Sequence, residues 1–586
     1  MYSFTRLLPL LPLFCTSVVN AVNPCPILGP IWPAATGLSS DPVVIEALQN
    51  ITTTIEHAID AGNFSSDSIS LQIFDANDPG ALLSLFNTAA DINTTLGVSD
   101  VDENTVFRIG STSKLFTMFM LLIENGLGPM QDPVADYIPE LRDAIIDLFR
   151  NSTNWDNGID FTKWNEVTVG ELATHMAGIG RDCKCSWLDP GLTSLVTLTE
   201  SLDGVLDFTE QASTVEALGF PALPTSQIPT CGVPFPCDRK HFFKGMVQRH
   251  PIVPTSRTPI YSNAAFQILG YVVEAMAGDD YSKVLSDDIL KPLNLSRTSY
   301  GAPNTSLGVI PNKGGLEWWN FAMGDEIPAG GIYSSAKDMA TIGRAILNST
   351  LLPPALTRRW LKPVSHTSSL DYGVGAPWEI LSFGSERPID LYTKSGDIGT
   401  YSSVFALSPD HGVGFVVLGA GANTHKSLAL ASDLVSAILI PALEKSAKKQ
   451  AAKRFAGTYA LDSANSSITI STDDGPGLLV TNWISDSSSM AAAFMSLNGM
   501  TGPSQLSTRL YPTGLESPGK ISFRAVTPPA LPSGIGPFTS SCITWFTVDS
   551  QAYGSVGIDE FVFNLDQTGN AVSVTPRVLR TTMKKT

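Results

Sequence analysis

Alternating polar and apolar residues predict the first and last strands of one large domain. In residues 68–74 most second positions are apolar, which predicts a half-buried strand. Far along the chain, apolar runs at 401–407 and 413–418 flank the turn-rich loop 408–412 and predict a β-hairpin. A helical pattern follows over about residues 426–452.

Two segments between these strands would be apolar on nearly all faces if they were helical, which predicts buried helices. The first runs from Ser111 to Asn125, with Gly126 in the position where a glycine commonly ends a helix. The second runs from Asn263 to Ala277 and is followed by Gly278. Each of these helices should therefore lie in the core of the main domain.

The pattern changes at two places. Residues 183–254 are rich in Pro, Gly and Thr, which indicates an insertion over one face of the main domain. From residue 454 onward, short strand-like runs broken by Gly, Pro, Asp and Ser predict a separate all-β domain. We therefore expect a main domain over 22–453 and a β domain over 454–586.

The N-terminus has the composition of a cleaved signal peptide. Arg6 precedes an apolar stretch that contains two prolines, is too short to span a bilayer and ends near the small residue Ala21. A signal peptide over 1–21 predicts a secreted protein, and an N-terminal core strand is the alternative. No later segment shows the roughly 20 consecutive apolar residues that a membrane span requires.

Composition excludes some classes of protein. The chain has 586 residues, of which 43% are hydrophobic and 16% are charged, so it can bury a large core and is not of the disordered class. The net charge is 37 − 55 = −18, and no basic surface for nucleic acid is visible. Acidity alone indicates solubility and says little about the substrate.

The cysteines and glycosylation sequons agree with secretion. Six cysteines remain after the signal peptide, an even number that favours disulfides with 15 possible connectivities. They are Cys25, Cys183, Cys185, Cys231, Cys237 and Cys542. Pairing among the middle four is our first expectation, because they bracket one loop-rich region. A zinc site is the alternative, but their spacing does not match the usual zinc-binding motifs. Sequons that predict a glycoprotein lie at Asn50, Asn63, Asn93, Asn151, Asn294, Asn304, Asn348 and Asn465.

A Ser-x-x-Lys motif provides candidate chemistry, because it places a lysine one helical turn beyond a serine on the same face. A serine hydroxyl becomes a good nucleophile when an adjacent base takes its proton, and a buried lysine can be that base if its pKa falls from about 10.4. Four such pairs occur, and their serines are Ser111, Ser334, Ser446 and Ser517. Only Ser111 opens a buried apolar helix, whereas Ser446 lies in a charged run that we expect at the surface. A helix N-cap is the alternative role for Ser111.

Two further motifs favour the catalytic interpretation of Ser111 and Lys114. Tyr261-Ser262-Asn263 is the only Tyr-x-Asn in the chain and precedes the second buried helix. Lys394-Ser395-Gly396 is the only Lys-[Ser/Thr]-Gly, and we expect it just before the hairpin strand that begins near Thr400. Three such motifs in this order, each at the boundary of an element, are hard to obtain by chance.

With these motifs the sequence resembles the class C β-lactamase, DD-peptidase and esterase family over about residues 68–443. Further matches are the lead-in 107–111 and the segments 131–141, 171–178 and 328–335. The extension after Arg454 is similar to those of secreted fungal β-lactamase-like proteins. The resemblance implies an α/β fold, with an antiparallel sheet flanked by helices and a helical subdomain that closes the cleft.

The resemblance also implies roles for individual residues. Ser111 would be the nucleophile, Lys114 its base, and Tyr261 the acid and base for the leaving group and the deacylating water. The backbone N–H groups of Ser111 and Asp397 would form the oxyanion hole. Substrate would be bound by Asn263, Lys394, Ser395 and Gly396.

The function expected from these residues is hydrolysis of an ester, lactone or amide of a small molecule through an acyl-enzyme, with no metal or cofactor. Phe235, Phe242 and Phe243 of the insertion could form an apolar wall over the cleft, which favours fairly apolar esters or lactones. An acyltransferase of secondary metabolism, a true β-lactamase or a D-aminopeptidase are alternatives within enzymes. A non-catalytic binding protein is the alternative outside them, and the oligomeric state stays open.

Overall fold

The computed structural model describes residues 25–151, 157–182, 238–384, 387–490, 492–493, 508–527, 536 and 541–586. The expected signal peptide, most of the expected insertion, and Cys183, Cys185, Cys231 and Cys237 lie outside the described residues. The chain divides into two compact units. The larger unit comprises Thr36–Phe383 and Ile389–Ala442, and the smaller comprises the described residues up to Ala35, Gly384–Pro388 and Leu443–Thr586.

An antiparallel sheet of eight strands forms the centre of the larger unit. Its strands in chain order, with a separate pair β3–β4 between them, are β1 (Asp67–Asp75), β2 (Ala81–Asn87), β3 (Val106–Arg108), β4 (Tyr333–Ser335), β5 (Ser365–His366), β6 (Tyr372–Val374), β7 (Glu379–Phe383), β8 (Ile389–Ile398), β9 (Tyr401–Ser408) and β10 (Val413–Gly421). The order across the sheet is β2-β1-β10-β9-β8-β7-β6-β5.

Helices of this unit flank the sheet. They are α1 (Pro42–Asp60), α2 (Ser113–Asn125), α3 (Pro139–Asn151), α4 (Val169–Ala173), α5 (Arg239–Met246), α6 (Asn263–Ala277), α7 (Tyr281–Leu285), α8 (Gly315–Asn320), α9 (Ile327–Gly330), α10 (Ala336–Leu347), α11 (Pro354–Trp360) and α12 (Thr424–Phe455), the last of which continues into the smaller unit. A core of buried apolar side chains from α2, α6, α10 and the sheet holds these layers together. The expected fold class is confirmed.

The first predicted strand is buried on both faces rather than one. Every residue of β1 is buried, because the strand lies between β2 and β10 and helix α10 packs on it. The polar residues that suggested a solvent-exposed face make hydrogen bonds inside the protein, such as Ser68 Oγ, which accepts from Ala89 N–H at 3.0 Å. Alternation therefore predicted the strand correctly and its exposure wrongly.

The hairpin forms as predicted, with β9 and β10 paired from Val413 opposite Ser408. Lys394-Ser395-Gly396 lies just before the hairpin strand β9, which begins at Tyr401, as predicted. These residues lie inside a strand of their own, β8, which pairs with β7 on one side and β9 on the other.

Both predicted buried helices are present. A 3-10 turn over Gly110–Thr112 leads into α2, and Gly126 follows α2 with φ 64°. Helix α6 has the predicted bounds, and Gly278 ends it in the left-handed conformation at φ 71°. The apolar segments and their terminal glycines were thus sufficient to locate both helices.

The described end of the expected insertion does not form a wall over the cleft. Residues 239–246 form α5, and Phe242 and Phe243 are buried against Tyr271 in the core of the larger unit. Because these rings fill the core, the expectation that they line an apolar cleft was wrong. Phe235 lies outside the described residues.

The smaller unit is a β-barrel. Its strands are β11 (Gly457–Leu461), β12 (Ser466–Ser471), β13 (Leu478–Ser485), β14 (Ser488–Ser489), β15 (Thr508–Ser517), β16 (Lys520–Val526), β17 (Ala552–Tyr553), β18 (Val556–Gly557), β19 (Glu560–Leu565), β20 (Ala571–Pro576) and β21 (Met583–Lys585). Pairing of β12 with β13 closes a ring of eight strands. A short helix, α13 (Thr544–Thr547), precedes β17.

A disulfide joins Cys25 to Cys542 within the smaller unit, with the two Cα atoms 5.6 Å apart. Ile31 and Trp32, a few residues after Cys25, are buried among the apolar side chains of the barrel. The segment after Cys25 is therefore part of this unit in structure, although more than 400 residues separate it from the barrel in sequence.

Helix α12 meets the length and composition of a membrane-spanning helix, and it is the one candidate found among the described residues. Its side chains at Leu428, Val435, Leu439 and Phe455 are buried within the protein, as they are in a core helix. The sequence-based expectation of no membrane span stays a prediction.

Candidate active site

The Gly110–Thr112 turn holds Ser111 at the start of α2. The side-chain oxygen of Ser113 accepts from Ile332 N–H at 3.0 Å and donates to Gly110 O at 2.7 Å, which fixes the turn against the strand β4 region. Gly110 has φ 48°, and a Cβ there would lie 2.7 Å from Asp397 N. Glycine is therefore needed both for the backbone conformation and for the close approach of β8.

Ser111, Lys114 and Tyr261 converge on one oxygen atom. Lys114 Nζ donates to Ser111 Oγ at 2.9 Å, and Tyr261 Oη donates to the same oxygen at 2.6 Å. Lys114 also donates to Asn263 Oδ1 and to Ala329 O, both at 2.7 Å. Its side chain is fully buried, whereas Ser111 keeps 8% of its surface exposed. The nucleophile candidate is thus partly exposed, while the lysine beside it is buried and hydrogen-bonded.

The N-terminus of α6 positions Tyr261 and Asn263. Ser262 is the N-cap, and its side chain accepts from Ala265 N–H at 3.0 Å. This cap favours helix formation directly after Tyr261, so that the tyrosine ring extends from the helix start toward Ser111. Asn263, expected to touch substrate, uses its oxygen on Lys114 and its amide on Asp182 Oδ1 at 2.8 Å.

Three cations surround the Tyr261 ring. Lys114 Nζ, Arg181 Cζ and Lys394 Nζ lie 4.9, 4.8 and 5.3 Å from the ring centre. Positive charge at these distances favours negative charge on the phenol oxygen. Sequence reasoning named the two lysines and missed Arg181, since no motif marks it.

Lys394 is buried and paired with a carboxylate that the sequence did not single out. Glu379 Oε1 lies 2.5 Å from Lys394 Nζ, and the lysine side chain is 1% exposed. Burial by itself lowers the pKa of Lys394, but the charge of Glu379 and the neighbouring Tyr261 outweigh it and raise that pKa overall. Lys394 is therefore a stable ammonium at neutral pH.

The end of β8 forms an open edge beside Ser111. Pairing with β7 ends at Glu379 opposite Thr393, so Lys394–Ile398 extend beyond β7. Ser395 N–H points to this edge, where Glu379 Oε2 accepts from it at 2.9 Å. Since successive N–H groups of a strand point to opposite edges, Asp397 N–H faces the same side as that of Ser395. Asp397 N also lies against Gly110, next to Ser111 N, as an oxyanion hole requires.

Gly396 lets β8 pack directly on the Ser111 turn. A Cβ at this position would lie 2.6 Å from Ser111 N and 2.3 Å from Ile109 O. Gly396 therefore faces the Ser111 turn, and its lack of a side chain allows the two backbones to pack closely. The Asp397 side chain turns away, accepts from Ser402 Oγ at 2.6 Å and lies 3.1 Å from His425 Nδ1.

His175 is buried beneath Tyr261, with the two ring centres 4.5 Å apart. Its Nδ1 accepts from Ser262 N–H at 3.2 Å. Burial, followed by the positive charges of Lys114, Lys394 and Arg181, lowers the pKa of His175 well below 6.5. The ring is therefore neutral and supports the tyrosine loop by hydrogen bonding.

The other Ser-x-x-Lys pairs lack this geometry. Ser334 is fully buried, its Oγ lies 2.9 Å from Thr298 Oγ1, and Lys337 projects into solvent. Ser446 is buried on α12 rather than at the surface as expected, because it lies on the inner face of the helix, while Lys449 is exposed. Ser517 and Lys520 face each other across a hairpin turn of the barrel.

No cluster of three or more His, Cys, Asp or Glu side chains suited to a metal occurs in the described ranges. Among the sequon asparagines that the structure describes, Asn93 is half-buried. The exposed ones are Asn50, Asn63, Asn294, Asn304, Asn348 and Asn465.

Two protein-family models match the chain. The family model described as "Beta-lactamase" matches residues 75–439, and the one described as "Beta-lactamase-like-like, C-terminal domain" matches residues 447–586. A "Beta-lactamase-like protein" of Arthroderma benhamiae is 29% identical over 97% of both chains. "Probable hydrolase M10" of a Phoma species is 25% identical over 76% of this chain and 70% of its own.

Two solved structures of bacterial proteins align with this chain. A D-stereospecific amidohydrolase from Streptomyces has a TM-score of 0.44 at 18% identity, over 65% of this chain and 98% of its own. A D-alanine carboxypeptidase from Burkholderia cenocepacia has a TM-score of 0.43 at 15% identity, over 67% and 99%. Since the β-lactamase family model covers more than half of the sequence, the chain belongs to the β-lactamase family and is a β-lactamase-like hydrolase with a C-terminal β domain.

Proposed function

We propose that this protein is a secreted serine hydrolase that forms an acyl-enzyme on Ser111 and cleaves an ester, lactone or amide of a small molecule. One observation carries the proposal. Ser111 Oγ lies within hydrogen-bond distance of both Lys114 Nζ and Tyr261 Oη, which are the two groups able to move its proton. A binding protein without catalysis would have no use for this arrangement.

In acylation, Lys114 in its neutral form takes the hydroxyl proton while Ser111 Oγ attacks the substrate carbonyl. Ser111 Oγ and Lys114 Nζ lie 2.9 Å apart, so the proton can pass directly from the hydroxyl to the neutral amine during the attack. The carbonyl oxygen becomes an oxyanion between the N–H groups of Ser111 and Asp397. Loss of one such donor typically lowers the rate by about 10²–10³-fold.

In the next steps Tyr261 gives a proton to the departing group and then takes one from the attacking water. Lys114 returns its proton to Ser111 Oγ as the acyl-enzyme bond breaks. Lys394 and Arg181, both next to the Tyr261 ring, stabilise the negative charge that develops on Oη. Lys394 thus has a sufficient role within the site without touching substrate. Ester or lactone hydrolysis is the reaction that this arrangement favours.

Secretion and glycosylation belong to the same proposal. The Cys25–Cys542 disulfide is typical of oxidising compartments, and the exposure of six sequon asparagines makes them accessible to glycosylation. Mass spectrometry of protein secreted from a eukaryotic host, before and after enzymatic deglycosylation, tests both. A chain that retains residues 1–21 and carries no glycan would contradict them.

The activity is tested by intact mass spectrometry after exposure to a fluorophosphonate, followed by comparison of two substrates. A single adduct on Ser111 is expected, together with a higher kcat/KM for a short-chain aryl ester than for a chromogenic cephalosporin. A kcat/KM about a hundredfold higher for the cephalosporin would favour a true β-lactamase. Product analysis with an added alcohol or amine distinguishes a hydrolase from an acyltransferase.

A further inference from the structure

Glu379 occupies a set of hydrogen-bond donors that could otherwise bind a substrate carboxylate. Its Oε1 accepts from Lys394 Nζ at 2.5 Å. Its Oε2 accepts from Ser395 N–H at 2.9 Å and from Ser395 Oγ at 2.8 Å. A buried ammonium, a hydroxyl and a backbone N–H that converge in this way form a carboxylate-binding site, and the protein fills it with its own side chain.

The position of this site matters for the substrate. Ser395 lies two residues before Asp397 on the open edge of β8, and Lys394 Nζ lies 5.3 Å from the Tyr261 ring centre. Glu379 is the first residue of β7, and its side chain lies across this open edge of β8 with 18% of its surface exposed. A carboxylate near the leaving group of a bound substrate would therefore meet Glu379.

The charges at this edge make binding of a substrate carboxylate unfavourable. Lys394 is buried and already hydrogen-bonded to Glu379, so a second carboxylate would have to displace Glu379 to reach the ammonium. A substrate carboxylate at this edge would also approach a like charge in a partly buried site, where such repulsion is poorly screened. An uncharged substrate meets neither obstacle.

We propose that Glu379 determines specificity by occupying the carboxylate position of the site, so that the enzyme accepts substrates that are uncharged beside the scissile carbonyl. The inference rests on the proposed acyl-enzyme chemistry and names its substrate class, neutral esters and lactones. Glu379 acts through charge and occupancy, and removing it should open the site to anionic substrates.

The test compares release of the acetyl group from meta-acetoxybenzoate and from its methyl ester, which differ by the carboxylate charge and one methyl group. Wild type should hydrolyse the methyl ester with the higher kcat/KM. In Glu379→Ala the ratio of anionic to neutral kcat/KM should rise about tenfold or more. Asp390→Ala removes one negative charge from the other half of β8, where Asp390 accepts from Ser382 Oγ, and should leave the ratio unchanged.

A buried lysine without its partner can impair folding, so the Tm of Glu379→Ala is measured first. Glu379→Gln, which keeps the shape of the side chain and removes its charge, isolates the contribution of the charge and should raise the ratio as well. A ratio within about twofold of wild type in a folded variant, with both esters still hydrolysed, would overturn the role of Glu379 and leave the proposed chemistry intact. Absence of a Ser111 adduct in wild type would instead overturn the proposed function itself.

Discussion

The guanidinium carbon of Arg181 lies 4.8 Å from the centre of the Tyr261 ring. This contact adds a third cation to the two lysines that the sequence indicated, and it comes from a segment that also binds the start of α6. Asn263 N–H donates to Arg181 O at 2.7 Å. The same segment thus positions Tyr261 through the backbone and influences its charge through a side chain.

Replacement of Arg181 should change the pH dependence of the reaction. Loss of the positive charge of Arg181 makes deprotonation of the groups next to it, such as Tyr261, less favourable. In Arg181→Met the rise of kcat/KM with pH that reports such a deprotonated group should therefore shift to higher pH, by about half a unit. Arg181→Lys should stay close to wild type. Arg257→Met, at an exposed arginine, is the matched control. An unchanged profile in Arg181→Met would limit Arg181 to a structural role.

Removal of the nucleophile should abolish covalent labelling. Ser111→Ala should show no fluorophosphonate adduct and lose turnover by about 10⁴-fold or more. Ser334→Ala should be labelled like wild type, because Ser334 is buried and its hydroxyl is hydrogen-bonded to that of Thr298. Peptide mapping that places the adduct on Ser334 would contradict the mechanism.

Lys114→Arg should be nearly inactive, since a guanidinium does not give up its proton at accessible pH. The substitution keeps the charge near Asn263 and Ala329 O, so it separates the role of the proton from that of the charge. Lys337→Arg, in another Ser-x-x-Lys pair, should have no effect on kcat. Activity of Lys114→Arg within about tenfold of wild type would exclude lysine as the base.

Acid should destabilise the protein partly through His175. Its folded-state pKa lies well below the 6.5 of an ordinary histidine, so the unfolded chain binds a proton as pH falls below about 6.5 while the folded chain does not. The stabilising contribution is complete above this pH and is lost as pH falls, at up to about 1.4 kcal/mol per unit.

His175→Asn removes the titrating group, and Asn suits the φ of 60° at this position. The decrease in Tm between pH 7.5 and 5.5 should be smaller in this variant than in wild type. His250 is exposed, so the Tm of His250→Asn should decrease between these pH values by as much as that of wild type. An equal decrease in all three proteins would show that His175 does not contribute.

Peptide mapping without reduction should recover Cys25 linked to Cys542. With these two paired, the remaining mature cysteines should pair among Cys183, Cys185, Cys231 and Cys237. The double variant Cys25→Ser/Cys542→Ser should lower the stability of the smaller unit by about 2–4 kcal/mol, visible as a lower Tm. Free thiols at Cys25 and Cys542 in secreted protein would contradict the bond.

Local sequence determined the elements and the innermost part of the site. The spacing of Ser111 and Lys114 puts both on one face of a helix start, and the apolar pattern of α2 shows that this helix is buried. Ser262 and Asn263 likewise mark the beginning of α6 and so the position of Tyr261. These features depend on residues within one or two helical turns, and helical periodicity encodes them directly.

Only the tertiary structure decided which distant residues complete the site. Glu379 reaches Lys394 because β7 pairs with β8 in one particular register, and Arg181 reaches Tyr261 because its backbone binds the start of α6. Cys25 meets Cys542 across a separation of 517 residues. Strand register and chain packing are set by the sum of many weak contacts over the whole domain, which no short motif records.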